Sequence, residues 1–278
     1  MSTTKVWLVT GASSGFGRAI AEDAAASGDI VVAVARRTAA LADLVTAHPG
    51  RVEAIALDVT DTERTSAVVA EVIARHGRID VLVNNAGRTQ VGAVEETTDA
   101  ELRELFDLHV FGPAALTRAV LPQMRAQGSG AVVMMSSVGG QASFAGFSAY
   151  SATKFALEGL SEALADEVAP FGIRVLVVEP GAFRTGLFGT GAAYFSAESE
   201  VYADTSGRTR RMIEGGDGTQ PGDPAKAATA IRAALEAERT PLRLPLGADA
   251  VDTVLDHLDT VRHDLLTWEK VSRATSFE

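Results

Sequence analysis

Tyr150 and Lys154 stand four residues apart in the run Ser148-Ala149-Tyr150-Ser151-Ala152-Thr153-Lys154. The stretch from Ser148 to Ala169 reads as a helix, on which residues i and i+4 project from one face. A free tyrosine titrates at about 10 and is a poor base at neutral pH. A neighbouring ammonium favours the phenolate and lowers that value, so the two side chains together form a tunable acid/base. Tyr-x-x-x-Lys alone is common on helix surfaces and usually structural. Its meaning depends on what the rest of the chain places around it.

The surrounding pattern is a regular alternation. Val6 to Thr10, Ile30 to Val34, Val52 to Leu57, Ile79 to Val83, Ala131 to Met135 and Ile173 to Val178 are short, almost continuously apolar runs. Such runs suit parallel strands covered on both faces. Helix-length stretches lie between them, among them Gly17 to Ser27, Thr62 to His76 and Glu101 to Met124. Repeated β-α-β units predict an α/β fold, a single Rossmann-like doubly wound parallel sheet with helices on both faces, over 1–278. The region from Gly186 to Gly222 breaks the rhythm with Gly, Ser, Thr and scattered aromatic rings, and reads as a substrate loop or lid. Asp223-Pro224 then predicts an N-cap with proline at the first helical position, opening a helix to about Glu238. Leu242 to Leu246 fits an edge strand despite Pro241 and Pro245, and Ala248 to Val271 a long amphipathic helix.

Between the first strand and the first helix lies Thr10-Gly11-Ala12-Ser13-Ser14-Gly15-Phe16-Gly17. Glycines there let the backbone turn sharply and let a pyrophosphate approach the helix N-terminus, where free N–H groups favour anions. The composition excludes other classes. The formal net charge of -11 argues against a nucleic-acid partner. The absence of cysteine removes disulfides and thiolate metal sites, and suits a reducing cytoplasm. His48, His76, His257 and His263 are scattered, so no metal is expected. Met1 to Lys5 shows no signal-peptide pattern, and no apolar run is long enough to span a bilayer.

Four ordered motifs now point to one family. Thr10–Gly17 has the form T-G-x-x-x-G-x-G. Asn84-Asn85-Ala86-Gly87 follows the fourth strand. Ser137, Tyr150 and Lys154 have the spacing S-x12-Y-x3-K. Pro180-Gly181 with Thr185 follows the sixth strand. From Lys5 to Thr185 the chain resembles the short-chain dehydrogenase/reductase family. The resemblance implies that Tyr150 is the proton donor or acceptor, that Lys154 also holds the nicotinamide ribose, and that Ser137 hydrogen-bonds the substrate oxygen. Ser136 competes with Ser137 for that place, which has the family spacing. The resemblance further implies that Gly11, Ser13, Ser14, Gly15, Phe16 and Gly17 bind the cofactor, with Asp58, Val59, Asn85, Ala86, Gly87, Pro180, Gly181 and Thr185 completing its site. In that family an acid at the Ala35 position selects NAD. Here Arg36 and Arg37 follow instead and can meet a 2′-phosphate, so NADP(H) is the expected cofactor.

One residue departs from the family. His109, in Phe106-Asp107-Leu108-His109-Val110-Phe111-Gly112, stands where an asparagine usually interrupts the helix and holds a water linking the catalytic lysine to solvent. A neutral imidazole also offers one donor and one acceptor, so His109 is expected either to take over that relay or simply to pack. The expected function is an NADP(H)-dependent oxidoreductase acting on a carbonyl or secondary alcohol, with a hydrophobic ketone or aldehyde as substrate, no nucleic acid, no membrane, and a homodimer or homotetramer as the family suggests. The other readings are a dinucleotide sensor without catalysis and an epimerase or dehydratase. Phe144, Phe147, Phe183, Phe188, Tyr194 and Phe195 are the rings expected around an apolar substrate pocket.

Overall fold

The computed structural model describes residues 4–189 and 191–277. Residues 1–3, part of the segment read above for a signal peptide, lie outside the described residues, as do Thr190 in the expected loop and Glu278. In chain order, β1 (Val6–Thr10) leads into α1 (Gly15–Ala26), β2 (Ile30–Ala35), α2 (Ala42–Ala47), β3 (Val52–Ala56) and α3 (Thr62–His76). Next come β4 (Val81–Asn84), β5 (Thr89–Val91), α4 (Asp99–Phe106), α5 (Gly112–Gln127), β6 (Gly130–Met135), α6 (Ser148–Val168) and β7 (Ile173–Pro180). The remainder holds β8 (Ala193–Phe195), α7 (Ser206–Gly216), α8 (Pro224–Glu236), β9 (Arg243–Leu246) and α9 (Ala248–Arg273).

Seven strands form one parallel sheet in the order β3-β2-β1-β4-β6-β7-β9. Strands that are apolar along their whole length must be covered on both faces, and two hydrophobic layers do this. On one side α1 and α8 bring Ile20, Ala24, Ile231 and Leu235 against Trp7 and Val9. On the other, α3, α5 and α6 bring Val68, Val72, Leu116, Val120 and Leu157 against Leu8 and Leu82. The strand order reverses between β1 and β4, and in open sheets ligands bind beyond the carboxyl ends of strands at such a point. Among the described residues no helix is long and apolar enough to cross a membrane.

Two local features differ from the sequence reading, and a third agrees with it. The single helix expected from Glu101 to Met124 is α4 and α5 joined by one π-helical turn, Asp107–Phe111, with His109 at its centre. Pro113 is the physical reason: it has no N–H to offer the His109 carbonyl four residues back, and its ring would collide with that carbonyl in a regular helix. Residues 186–222 are not wholly irregular. β8 pairs in parallel with β5, and α7 forms despite Gly207, Gly215 and Gly216, because Ile213 and Thr209 pack inward. β9 is an edge strand, as Pro245 requires, with its proline in register with Glu179.

Candidate active site

The glycine turn is shaped by a rivet between β1 and β4. The backbone N–H groups of Asn85 and Ala86 donate to Thr10 Oγ1 at 2.9 and 3.1 Å, and that hydroxyl donates to the Val83 carbonyl at 3.1 Å. Asn85 Nδ2 returns a bond to the Thr10 carbonyl at 2.9 Å. The turn then passes through Gly11 and Gly15 at φ +64° and +54°, a region that side-chain-bearing residues rarely adopt. A Cβ at Gly17 would fall 2.4 Å from both Asn85 Nδ2 and the Gly11 carbonyl oxygen. This close approach leaves an open cradle at the N-terminus of α1. Ser14, at its N-cap, makes no side-chain cap bond, so the first-turn N–H groups remain available to an anion. Ser13, Ser14, Gly15 and Phe16 all line the cleft beside it.

At the far end of the same cleft stand Arg36 and Arg37, exposed and without an ion pair among the described residues. Ala35 is buried beneath them. Asp58 Oδ1 accepts from the Thr60 backbone N–H and hydroxyl at 3.0 and 2.8 Å, which holds the carboxylate at the cleft wall. Val59 is buried next to it, its carbonyl 2.8 Å from where a Cβ on Gly112 would sit.

Ser137, Tyr150 and Lys154 come together at the other end of this cleft, whose volume is about 690 Å³. β6 delivers Ser137, and the N-terminal half of α6 delivers Tyr150 and Lys154 on one face. Ser137 Oγ accepts from the Gly139 N–H at 3.0 Å, so its own proton is free for a further acceptor. Lys154 Nζ donates to the Met135 carbonyl at 2.8 Å and lies 5.6 Å from the Tyr150 ring centroid. The expected lowering of the tyrosine by the lysine is not what this arrangement produces. Burial pushes the Tyr150 phenol up, opposed only by Ser137. Burial also brings Lys154 down to about 8, opposed by Glu158. Two desolvated groups each resist charging, and the lysine spends one N–H on a carbonyl rather than on the phenolate.

Ser136 also borders the cleft, but its hydroxyl is turned toward another group. Its buried hydroxyl lies beside Glu158 Oε1, both of them close to the Cβ position that Gly140 leaves open. His109 is buried beside Tyr150 in the wall of the cleft, its ring edge-on to the phenol ring at 5.7 Å. His109 Nδ1 is 2.8 Å from Thr153 Oγ1, and Nε2 accepts from the Arg88 backbone N–H at 3.2 Å. Burial first, then the positive charges of Lys154 and Arg88, hold its pKa well below the ordinary imidazole value, so the ring is neutral at pH 7. The expected water relay therefore meets an obstacle: both ring nitrogens are already committed to protein partners.

Asn85, Ala86, Gly87, Pro180, Gly181 and Thr185 all border the cleft. A Cβ on Gly15 would meet Thr185 at 2.9 Å, so the glycine turn and the Thr185 segment touch. Of the six expected rings, Phe183, Phe188 and Tyr194 reach the cleft. Phe147 is buried against Tyr150, Phe144 packs edge-on over Phe147, and Phe195 lies under the Arg210 guanidinium. Phe147 belongs to a small satellite core with Phe195 packed against it, Phe144 stays half exposed at its edge, and none of the three lines the cleft.

Sequence reasoning missed a buried acidic pair behind the lysine. Glu158 and Glu179 both contact Arg243 Nε, at 3.1 and 3.6 Å, and both accept from Gln141 Nε2, at 3.4 and 2.9 Å. Burial raises both carboxyls, Glu179 to about 7, where the neighbouring Glu158 adds to the shift. The only signal in the sequence was Glu158 at i+4 from Lys154. Arg88 was missed too. It stacks over the Tyr194 ring at 4.1 Å and lines the cleft. Among the described residues no His, Asp and Glu cluster could hold a metal.

Comparison with known proteins bears on the family and the fold. The short chain dehydrogenase family profile matches residues 5–192. A short-chain dehydrogenase from Streptomyces avermitilis shares 70% sequence identity and superposes with a TM-score of 0.94, covering 99% of this chain and 100% of its own. An oxidoreductase from Botryotinia fuckeliana is 36% identical over 274 residues, 98% of this chain and 100% of that protein. A metagenomic short-chain oxidoreductase solved in complex with NADP is 29% identical, with a TM-score of 0.68 over 87% of this chain and 96% of its own. The chain belongs to the short-chain dehydrogenase family, whose members are oxidoreductases that bind a nicotinamide dinucleotide.

Proposed function

We propose that this protein is an NADP(H)-dependent oxidoreductase that moves a hydride between the nicotinamide and a carbonyl or secondary alcohol carbon, with a hydrophobic ketone or aldehyde as the substrate of reduction. One observation carries the reading. Ser137, Tyr150 and Lys154 share a single cleft with the open cradle at α1 and with Arg36 and Arg37.

The nicotinamide, when bound, supplies or accepts the hydride. Tyr150 gives its phenolic proton to the carbonyl oxygen in reduction, and takes it from the alcohol in oxidation. Burial keeps that phenol protonated at neutral pH, which suits the donor role. Ser137, whose Oγ accepts from the Gly139 N–H, keeps its own O–H to donate a hydrogen bond to the same oxygen, and no proton leaves it. Lys154 spends one N–H on Met135 and has two left for the ribose hydroxyls. The Gly11–Gly17 turn takes the pyrophosphate, Arg36 and Arg37 the 2′-phosphate, and Asp58 with Val59 the adenine. Asn85, Ala86 and Gly87 line the middle of the dinucleotide path, and Pro180, Gly181 and Thr185 the nicotinamide end. Residues 186–222 form the substrate lid, where Phe188 and Tyr194 present apolar surface. We place the whole chain in one catalytic unit that assembles as a homodimer or homotetramer.

The test is consumption of NADPH with a panel of aromatic and alicyclic ketones and aldehydes, and reduction of NADP with the matching alcohols. Turnover is expected, and Tyr150→Phe should lower it on the order of a hundredfold or more while NADPH still binds. A folded protein that binds NADPH yet turns over nothing in either direction would favour the sensor reading instead.

A further inference from the structure

α9 carries an apolar face that the rest of the chain leaves uncovered. The helix meets the body through its first turns. Ala250 is its one buried residue, Val254 and His257 are half-buried, and Asp249 accepts from the Ala182 N–H at 2.7 Å. From Leu258 onward every described residue is exposed. Val251, Leu255, Leu258, Val261, Leu265, Leu266, Trp268 and Val271 are each between 40% and 65% exposed. Scattered apolar residues need no explanation, but a continuous stripe of this size does. Val251, Val254, Leu258, Val261, Leu265 and Trp268 follow one another at alternating steps of three and four. That is the seam of a two-stranded coil, which an isolated helix cannot bury.

We propose that this seam is the contact between two copies of this chain, with the two α9 helices packed antiparallel about a two-fold axis level with residues 259 and 260. Volume selects this pairing. At full overlap Val251 lies opposite Trp268 of the second copy, Val254 opposite Leu265, and Leu258 opposite Val261. Every layer then joins a smaller side chain to a larger one. A parallel pairing in register would set Trp268 against Trp268 and Val251 against Val251. Charge selects it as well. On the flank of the antiparallel pair His257 faces Asp264 of the second copy, twice by symmetry, and Leu255 faces the aliphatic stem of Arg262. The parallel pair would instead oppose Asp264 to Glu269, which costs energy. A two-fold contact of this kind closes on itself. An anionic lipid surface is disfavoured, since Asp249, Asp252, Asp256 and Asp259 accompany the stripe where membrane-binding helices carry basic residues.

The paired segment, residues 251–268, spans about 27 Å of helix axis. A free coil that short is marginal in water. Here the body already holds the first turns of α9 in helical form, so less order has to be gained on pairing.

Two measurements test the assignment, and neither depends on catalysis. The doubly substituted Leu258→Asp/Leu265→Asp variant changes only exposed positions, and circular dichroism checks its fold. Sedimentation equilibrium should show its mass at half that of the parent. The chain contains no cysteine, so introduced thiols report register directly. Leu258→Cys and Val261→Cys proteins, mixed and oxidised, should form a mixed disulfide. Trp268→Cys alone should not cross-link, since antiparallel packing holds its two copies about 25 Å apart. The proposal is overturned by a folded aspartate variant of unchanged mass, by a parent that is monomeric, or by a Trp268→Cys disulfide appearing in place of the mixed one.

Discussion

His109 Nδ1 lies 2.8 Å from Thr153 Oγ1, and the direction of that bond is decided by a third group. The Thr153 hydroxyl donates its own proton to the Tyr150 carbonyl at 2.7 Å, so it accepts from His109. The imidazole is therefore the neutral Nδ1–H tautomer, and its Nε2 is the acceptor for the Arg88 N–H. The ring ties the π-helical turn to α6, at the residue before Lys154, and to the segment that carries Arg88.

The first prediction follows from that lock. His109→Leu leaves the half-buried Arg88 N–H without its partner, at a cost of about 1 kcal/mol. Its thermal midpoint should fall, while the shape of its pH–rate profile should overlay the parent's, because no ring nitrogen is left to relay a proton. A profile that shifts or loses a limb in the folded variant would restore the relay role.

Cofactor choice gives the second prediction. Arg36 and Arg37 have no competing ion pair among the described residues, so both are available to a phosphate. Losing one charge-assisted hydrogen bond costs roughly 1.5–3 kcal/mol, about ten- to a hundredfold. Replacing both arginines by serine should lower kcat/KM for NADPH by at least that factor and leave NADH nearly unchanged. Equal efficiency with NADH in the parent protein would contradict the NADP(H) assignment.

The buried acidic pair yields a prediction about stability and pH. The Glu179 carboxyl sits at about 7, above its usual 4.5, so the folded protein binds that proton more tightly than the unfolded chain does. The resulting stabilisation is fully present below pH 4.5 and is lost as pH rises through about 7. Glu179→Gln keeps a neutral side chain at every pH. Relative to the parent, it should gain stability progressively between those limits, on the order of 1–3 kcal/mol. Calorimetry of both proteins across that window decides it, and a constant difference between them would show that Glu179 does not titrate there.

Two glycines separate a cradle from an ordinary helix position. Gly17→Ala forces a Cβ into Asn85 and the Gly11 carbonyl, so the turn must deform. NADPH binding, followed by its fluorescence, should weaken at least tenfold. Gly159→Ala on the exposed face of α6 meets nothing within 4 Å. It should leave binding unchanged and raise stability by about 0.5–1 kcal/mol. Equal effects at the two sites would mean that the close packing at Gly17 does not shape the cradle.

By itself the sequence determined what depends on neighbours along the chain. The apolar runs of β1, β2, β6 and β7 and the helical spacing of Tyr150 and Lys154 are local periodicities, and the structure keeps them. The glycine turn was legible for the same reason, since a positive φ at Gly11 and Gly15 is a property of single residues. Tertiary structure alone decided which distant groups meet. Glu179 on β7 and Glu158 on α6 are brought to one Arg243 by the pairing of β7 with β9 and the packing of α6 on β7, and no spacing in the sequence encodes either. The π turn at His109 needed Pro113 within a helix held by packing on both sides, and α7 formed against its own glycines because Ile213 found a core. The tyrosine's pKa was misread for a related reason. Charge proximity can be read from i, i+4 spacing, but burial, which raises Tyr150 and lowers Lys154, exists only once α6 is closed against the sheet.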